Sequence, residues 1–103
     1  MWVVAILTPK PEAWDLFREY ETKAAAILAR YGARIVQSIV DEPRTREVHL
    51  IAFPSREAFQ HYRADVELAS LATLREASIT HTEVIIGHDG PTYGGAGTSL
   101  TQP

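Results

Sequence analysis

Four histidines, at positions 49, 61, 81 and 88, are the side chains best able to move protons near neutral pH. His49 sits inside the run Val48-His49-Leu50-Ile51, a polar group among apolar ones. Two roles fit that place. One is a general base or substrate hydrogen-bond partner in an enclosed space. The other is a structural histidine paired with a backbone carbonyl or a neighbouring strand. His81 and Glu83 stand two apart, the spacing that puts both on one face of a strand, where they would form an acid/base pair or an exposed edge-strand couple. A metal centre needs further ligands, and no HxH or HxxxH spacing occurs, so none is expected. His61, beside Gln60, reads as solvent-facing, and His88 falls where a distinct tail begins.

Cationic and aromatic groups extend the set. Arg34 would anchor a substrate carboxylate or pair with a carboxylate across a sheet edge. Arg34 and Gln37 have opposite strand parity, so both reach one face only if a bulge intervenes. Arg75 would either clamp a ligand or tie its own helical piece to Asp65 or Glu67. Trp2 would join a small ligand through its ring. Tyr20, Tyr31, Tyr62, Trp14 and Phe17 recur at helical spacing and read as packing groups. Gly94-Gly95-Ala96-Gly97 lacks the flanking strand, helix and lysine of a phosphate loop. Neither a GxSxG nucleophile elbow nor a cysteine is present, which excludes a thiolate nucleophile, a disulfide framework and a zinc ribbon.

The 103 residues make one ordinary domain, 46% hydrophobic and 22% charged, as in globular chains. A core this small leaves a modest margin, which association would supplement. Ten Lys and Arg against thirteen Asp and Glu give a net charge of -3. The basic residues are scattered among acids, so no nucleic-acid partner is expected. No apolar run approaches the roughly 20 residues of a membrane span. The first residues carry no basic segment before the apolar run, so a cytoplasmic location and no membrane partner are expected.

The elements that must position these groups follow from the pattern of apolar residues. Trp2 to Leu7 is a short β-branched run ended by Thr8-Pro9-Lys10-Pro11, a central strand. Trp14, Phe17, Tyr20, Ala24, Ile27, Leu28 and Tyr31 predict a helix from about Pro11 to Tyr31, closed by Gly32. Residues 33–41 and 47–53 predict a hairpin around Asp41-Glu42-Pro43-Arg44-Thr45. Ser55 caps a second helix, with Ala58, Phe59, Tyr62 and Val66 on its apolar face. Asp65 caps a further short piece carrying Leu68, Leu71 and Leu74, and residues 78–87 form the last strand.

The order β-α-β-β-α-β predicts an α+β, ferredoxin-like sandwich with a four-stranded antiparallel sheet, both helices on one face. Strands 1 and 3 are apolar on both alternations, so the other face should be covered too. A second copy of the chain is the economical cover, giving a homodimer. Residues 1–87 would be the domain and residues 88–103, glycine-rich and without Lys or Arg, a flexible or partner-draped tail.

Within this order, Glu47-Val-His-Leu-Ile-Ala-Phe-Pro-Ser-Arg-Glu-Ala-Phe59 and Tyr62-Arg-Ala-Asp65 resemble the third strand and second helix of bacterial DUF1330-type proteins. Leu71-Ala-Thr-Leu-Arg-Glu-Ala-Ser78 and Thr82-Glu-Val84 continue the resemblance, which covers about residues 1–87. It implies the dimeric α/β-barrel superfamily, which includes cofactor-independent antibiotic-biosynthesis monooxygenases, EthD-like and NIPSNAP-like proteins. Two function classes follow. One is a cofactor-independent enzyme acting on a small organic substrate by oxygenation, isomerisation or cyclisation, with His49, His81 and Glu83 as catalytic groups and Arg34, Trp2 and Arg75 as binding groups. The other is a non-catalytic binding or stress-associated protein using the same pocket. Fold alone does not choose between them.

Overall fold

The computed structural model of the protein describes residues 1–94. Its elements are β1 (Trp2–Pro9), α1 (Trp14–Arg30), β2 (Arg34–Val40), β3 (Glu47–Ala52), α2 (Arg56–Arg63), α3 (Val66–Ala69), α4 (Ala72–Ser78) and β4 (Ile79–Gly87). The sheet order is β2-β3-β1-β4, with every neighbouring pair antiparallel. This is the ferredoxin-like α+β arrangement that the order of elements predicts, with β1 central.

Alternation decides what each strand residue meets. Val3, Ala5 and Leu7 of β1 are buried, as are Glu47, His49 and Ile51 of β3, while their chain neighbours are half-buried. The buried set faces the helices. There α1 lays Phe17, Tyr20, Ala24, Ile27 and Leu28 down as its apolar stripe. Phe53 packs edge-on against Phe59, with ring centroids 5.1 Å apart, and joins α2 to the same core.

Three local expectations change, and one stated condition is met. Helix α1 begins at Trp14 rather than Pro11, because Pro11 and Glu12 occupy a turn closed by Ala13 N–H donating to the Lys10 carbonyl at 2.9 Å. Proline at the second position of a turn fixes its φ there, so the helix starts three residues later. The piece after Asp65 is two helices, α3 and α4, separated at Ser70 and Leu71. Val66 opens α3 and is 84% exposed rather than on the apolar face of α2. Finally, a β-bulge between Ile35 and Gln37 resets the register of β2 against β3. Arg34 then stands opposite Ala52 and Gln37 opposite Leu50, so both face away from the helices.

The caps form as the sequence predicts. Ser55 Oγ accepts from Ala58 N–H at 3.0 Å, and the Asp65 carboxylate accepts from Glu67 and Leu68 N–H groups. Gly32 ends α1 with φ 73°. In the hairpin loop, Asp41 accepts hydrogen bonds from the Thr45 hydroxyl, the Thr45 N–H and the Arg46 N–H. Those bonds, led by the hydroxyl, pull its carboxyl down to about 2. Among the described residues no helix is long and apolar enough to cross a membrane. Of the tail expected over 88–103, residues 95–103 lie outside the described residues.

Candidate active site between sheet and helices

Two elements bring four ionisable side chains into one line. Glu47 and His49 are two apart on β3, so both point at α1. Arg18 and Glu21 are three apart on α1, one helical turn, so both point at β3. Arg18 Nη1 donates to Glu47 Oε1 at 2.5 Å, and Glu47 Oε2 meets His49 Nε2 at 2.6 Å. The other ring nitrogen, Nδ1, lies 3.4 Å from Glu21 Oε1. Glu47 and His49 are each only 3% exposed, so the line is shielded from water along most of its length.

The outer end of the line is held by aromatic rings. The Arg18 guanidinium lies 5.3 Å from the Trp14 ring centre, and Arg44 of the hairpin loop covers the same ring at 4.6 Å. Arg44 reaches that position with φ 59°, an unusual backbone for a residue other than glycine. Trp14 thus fixes Arg18, Arg18 fixes Glu47, and Glu47 orients the imidazole.

Proton accounting follows from the partners. A neutral imidazole has one N–H, yet both nitrogens of His49 face carboxylates. Burial, the largest influence, pushes the Glu21 carboxyl above the usual carboxylate range; His49 pulls it down and Glu47 pushes it up. With its N–H on Nε2 the imidazole donates to Glu47, whose other oxygen accepts from Arg18, and Nδ1 is left facing Glu21 and the space beside it.

Glu21 and His49 open onto a cavity of about 370 Å³ between the sheet and the helices. Its walls are mostly apolar, including Val3, Leu28, Ile51, Phe53, Phe59 and Val84. The polar lining is Tyr20, Tyr62, Arg63, Arg75 and Thr82 beside Glu21 and His49. Burial also raises the Tyr20 and Tyr62 phenols, with the Arg75 guanidinium pulling Tyr20 partly back. Arg75 Nη2 donates to Thr82 Oγ1 at 2.7 Å. An apolar chamber with a few converging polar groups is the ordinary form of a small-molecule site. Among the described residues no group of three or more His, Asp or Glu side chains could hold a metal ion.

The candidate residues therefore divide between the two faces of the sheet. His49 and Arg75 line the cavity together. Arg75 bonds to Thr82, whereas Asp65 and Glu67 pair with Arg30. His81 and Glu83 stand opposite Thr8 and Ile6, share the face turned from the helices, and are exposed. Arg34 is exposed on that same face, and Trp2 there donates through Nε1 to Asp89. Sequence reading passed over Glu21, Glu47, Tyr20, Tyr62, Arg63 and Thr82 as site groups. Glu21 was detectable, since it interrupts the stripe Phe17, Tyr20, Ala24, Leu28 at the one position a carboxylate would be buried.

A family model described as a domain of unknown function, DUF1330, matches residues 2–88. Among curated proteins none matches the chain. Solved structures share the fold. An antibiotic biosynthesis monooxygenase superposes with TM-score 0.72 at 20% identity, over 87% of this chain and 98% of its own. SnoaB, a cofactor-independent oxygenase from Streptomyces nogalater, gives 0.65 at 18%, over 86% and 93%. Rv0793 from Mycobacterium tuberculosis gives 0.69 at 16%, over 88% and 97%.

Proposed function

The chain belongs to the DUF1330 family, and from that premise we propose that it is a cofactor-independent enzyme that takes a proton from a small, largely apolar organic molecule. The observation that carries this reading is the Arg18–Glu47–His49–Glu21 line, buried at Glu47 and His49 and opening onto the cavity at Glu21 and His49. A general base works best when a second group fixes its ring and its tautomer. Glu47 supplies that fixing, and Arg18 balances its charge.

In the step, a C–H or O–H bond of the substrate breaks. The proton passes to the Glu21–His49 pair, and the electron pair stays on the substrate as an enolate or phenolate. Returning the proton at another carbon gives isomerisation. Reaction of the same electron-rich anion with dioxygen gives oxygenation, a reading that the oxygenase neighbours favour through shared fold. Holding ligand without chemistry is the competing reading.

Solvent hydrogen exchange separates these. Bicyclic enolisable ketones such as 2-tetralone, together with naphthols, are incubated with the protein in D2O and followed by NMR, with dioxygen uptake measured in parallel. Accelerated C–H exchange or dioxygen uptake with the wild type, lost in His49→Gln, supports the reading. Rates equal to buffer across the set leave a binding protein.

A further inference from the structure

We propose that the cavity takes an organic monocarboxylate, with its carboxylate on Arg75 and its apolar body, a ring bearing a short chain, against the sheet. This rests on reading the cavity as the ligand site, and it adds the charge of the ligand.

The ionic partners of the arginines on the helices carry the argument. Arg18 pairs with Glu47, and Arg30 with Asp65 and Glu67. Arg75 is different. It is half-buried in the lining of an apolar chamber, and its hydrogen-bond partners are neutral hydroxyls, those of Thr82 and Tyr20. Among the described residues no carboxylate lies within 4.0 Å of it. A guanidinium carries five N–H donors, so Thr82 and Tyr20 together leave about three of them to serve a ligand. Its planar fork matches a carboxylate in two parallel hydrogen bonds. Glu21, the carboxylate in the same lining, lies against His49; its charge is felt by Arg75 from beyond ion-pair distance.

A second cation repeats the bias. Arg63 belongs to the lining, with its guanidinium 5.5 Å from the Phe59 ring, and it too has no carboxylate within 4.0 Å among the described residues. The lining therefore holds two arginines against one carboxylate. The rest of the wall is hydrocarbon and aromatic, which suits an apolar body and disfavours a sugar or a polyphosphate. Size narrows the class again. A cavity of about 150 Å³ accommodates benzene, and this one is about 370 Å³.

Binding of trans-cinnamate and of its neutral isostere trans-cinnamamide tests the proposal, by calorimetry and by NMR shifts of the Val3, Leu28 and Ile51 methyls. The wild type should bind cinnamate at least tenfold more tightly than the amide. Arg75→Gln should abolish that preference while changing the amide Kd less than twofold, and Arg75→Lys should keep part of it. Equal binding of the two compounds overturns the proposal, as does absence of binding of both, or loss of both together in a folded Arg75→Gln. Should Arg75→Gln fail to melt cooperatively, Arg75→Lys and Arg63→Gln carry the comparison, and an unaltered preference in both overturns it. The readout is equilibrium binding alone. Its failure leaves the proton-transfer reading standing, and failure of hydrogen exchange leaves this one standing.

Discussion

Glu47 Oε2 and His49 Nε2 meet at 2.6 Å across a single strand pleat, so backbone geometry sets the pair before any loop is involved. Strand β3 lies between β2 and β1, bonded on both sides, which leaves the imidazole little freedom to turn. Glu47→Gln keeps the size of the side chain and removes its charge. It should lower the hydrogen-exchange kcat by about tenfold to a hundredfold, with KM nearly unchanged, since the group orients the base without touching substrate. Urea unfolding should show a loss of about 1–3 kcal/mol from the altered buried bonds. A variant with full turnover would make the pair purely structural.

Glu21 gives a prediction with a definite sign in pH. Burial holds its folded pKa above the ordinary 4.5, so the folded state keeps its proton to higher pH than the unfolded chain does. Its contribution to stability is therefore fully present below about pH 4.5 and is lost as pH rises through the elevated folded value. Glu21→Gln, which mimics the protonated acid, should compare better with wild type at pH 7.5 than at pH 4. Thermal melts of both proteins across that range check this. A Tm difference that is constant or reversed in pH would show that Glu21 is not held protonated by burial.

Asp41 has the opposite sign. Its carboxyl is pulled down to about 2 by the Thr45 and Arg46 hydrogen bonds, so its contribution is present above the usual carboxylate range and lost as pH falls towards that value. Asp41→Ala should lower Tm at pH 7 and progressively less in stronger acid. Because the loop also carries Arg44 to Trp14, the hydrogen-exchange rate of the variant should fall with it. An Asp41→Ala protein with the wild-type Tm at neutral pH would remove the loop from the support of the site.

The short β-branched apolar runs of β1 and β3 made the sheet legible, and the stripe on α1 made its helix legible. The position of the cavity was not legible. Both alternations of β1 are apolar, so composition did not say which face the helices take, and His49 had two possible surroundings. The bulge at Val36 was beyond reach for a related reason. Arg34-Ile-Val-Gln-Ser alternates poorly, and one inserted residue changes parity without leaving a mark in residue type. Glu47 reads as an ordinary strand-opening residue until α1 brings Arg18 over it. Arg75 lies on a helix whose distance from Thr82 is set by tertiary packing.

Gly32 ends α1 at φ 73°, and a Cβ placed there would come within 3.3 Å of Pro54 Cγ. Gly32→Ala should cost about 1 kcal/mol or more by denaturant unfolding, because the left-handed backbone and the proline contact act in the same direction. An unchanged midpoint would mean that the chain leaves the helix by another route.

On the face turned from the helices, Ile39 and Ile85 are 56% and 55% exposed, beside half-buried Trp2, Val4, Ile6 and Leu50. We propose that a second copy covers them. Sedimentation equilibrium at micromolar concentration should give a dimer, with Val4→Glu shifting it to monomer. A wild-type monomer at that concentration would refute this, since a standard interface buries about 1,200–2,000 Å² and holds on dilution.

The extra residue at Val36 also bears on solubility. Strand β2 is an edge of the sheet, and an edge displays unpaired amides on which another chain can add a strand. A bulge twists such an edge and breaks its regular spacing, which blocks open-ended strand addition. Deleting Val36 would straighten that edge while leaving Arg34 opposite Ala52 and Gln37 opposite Leu50, on the face they already occupy. The consequence is that protection against aggregation is separable from ligand chemistry: a one-residue deletion that leaves every chamber side chain on its own face would open the edge to strand addition.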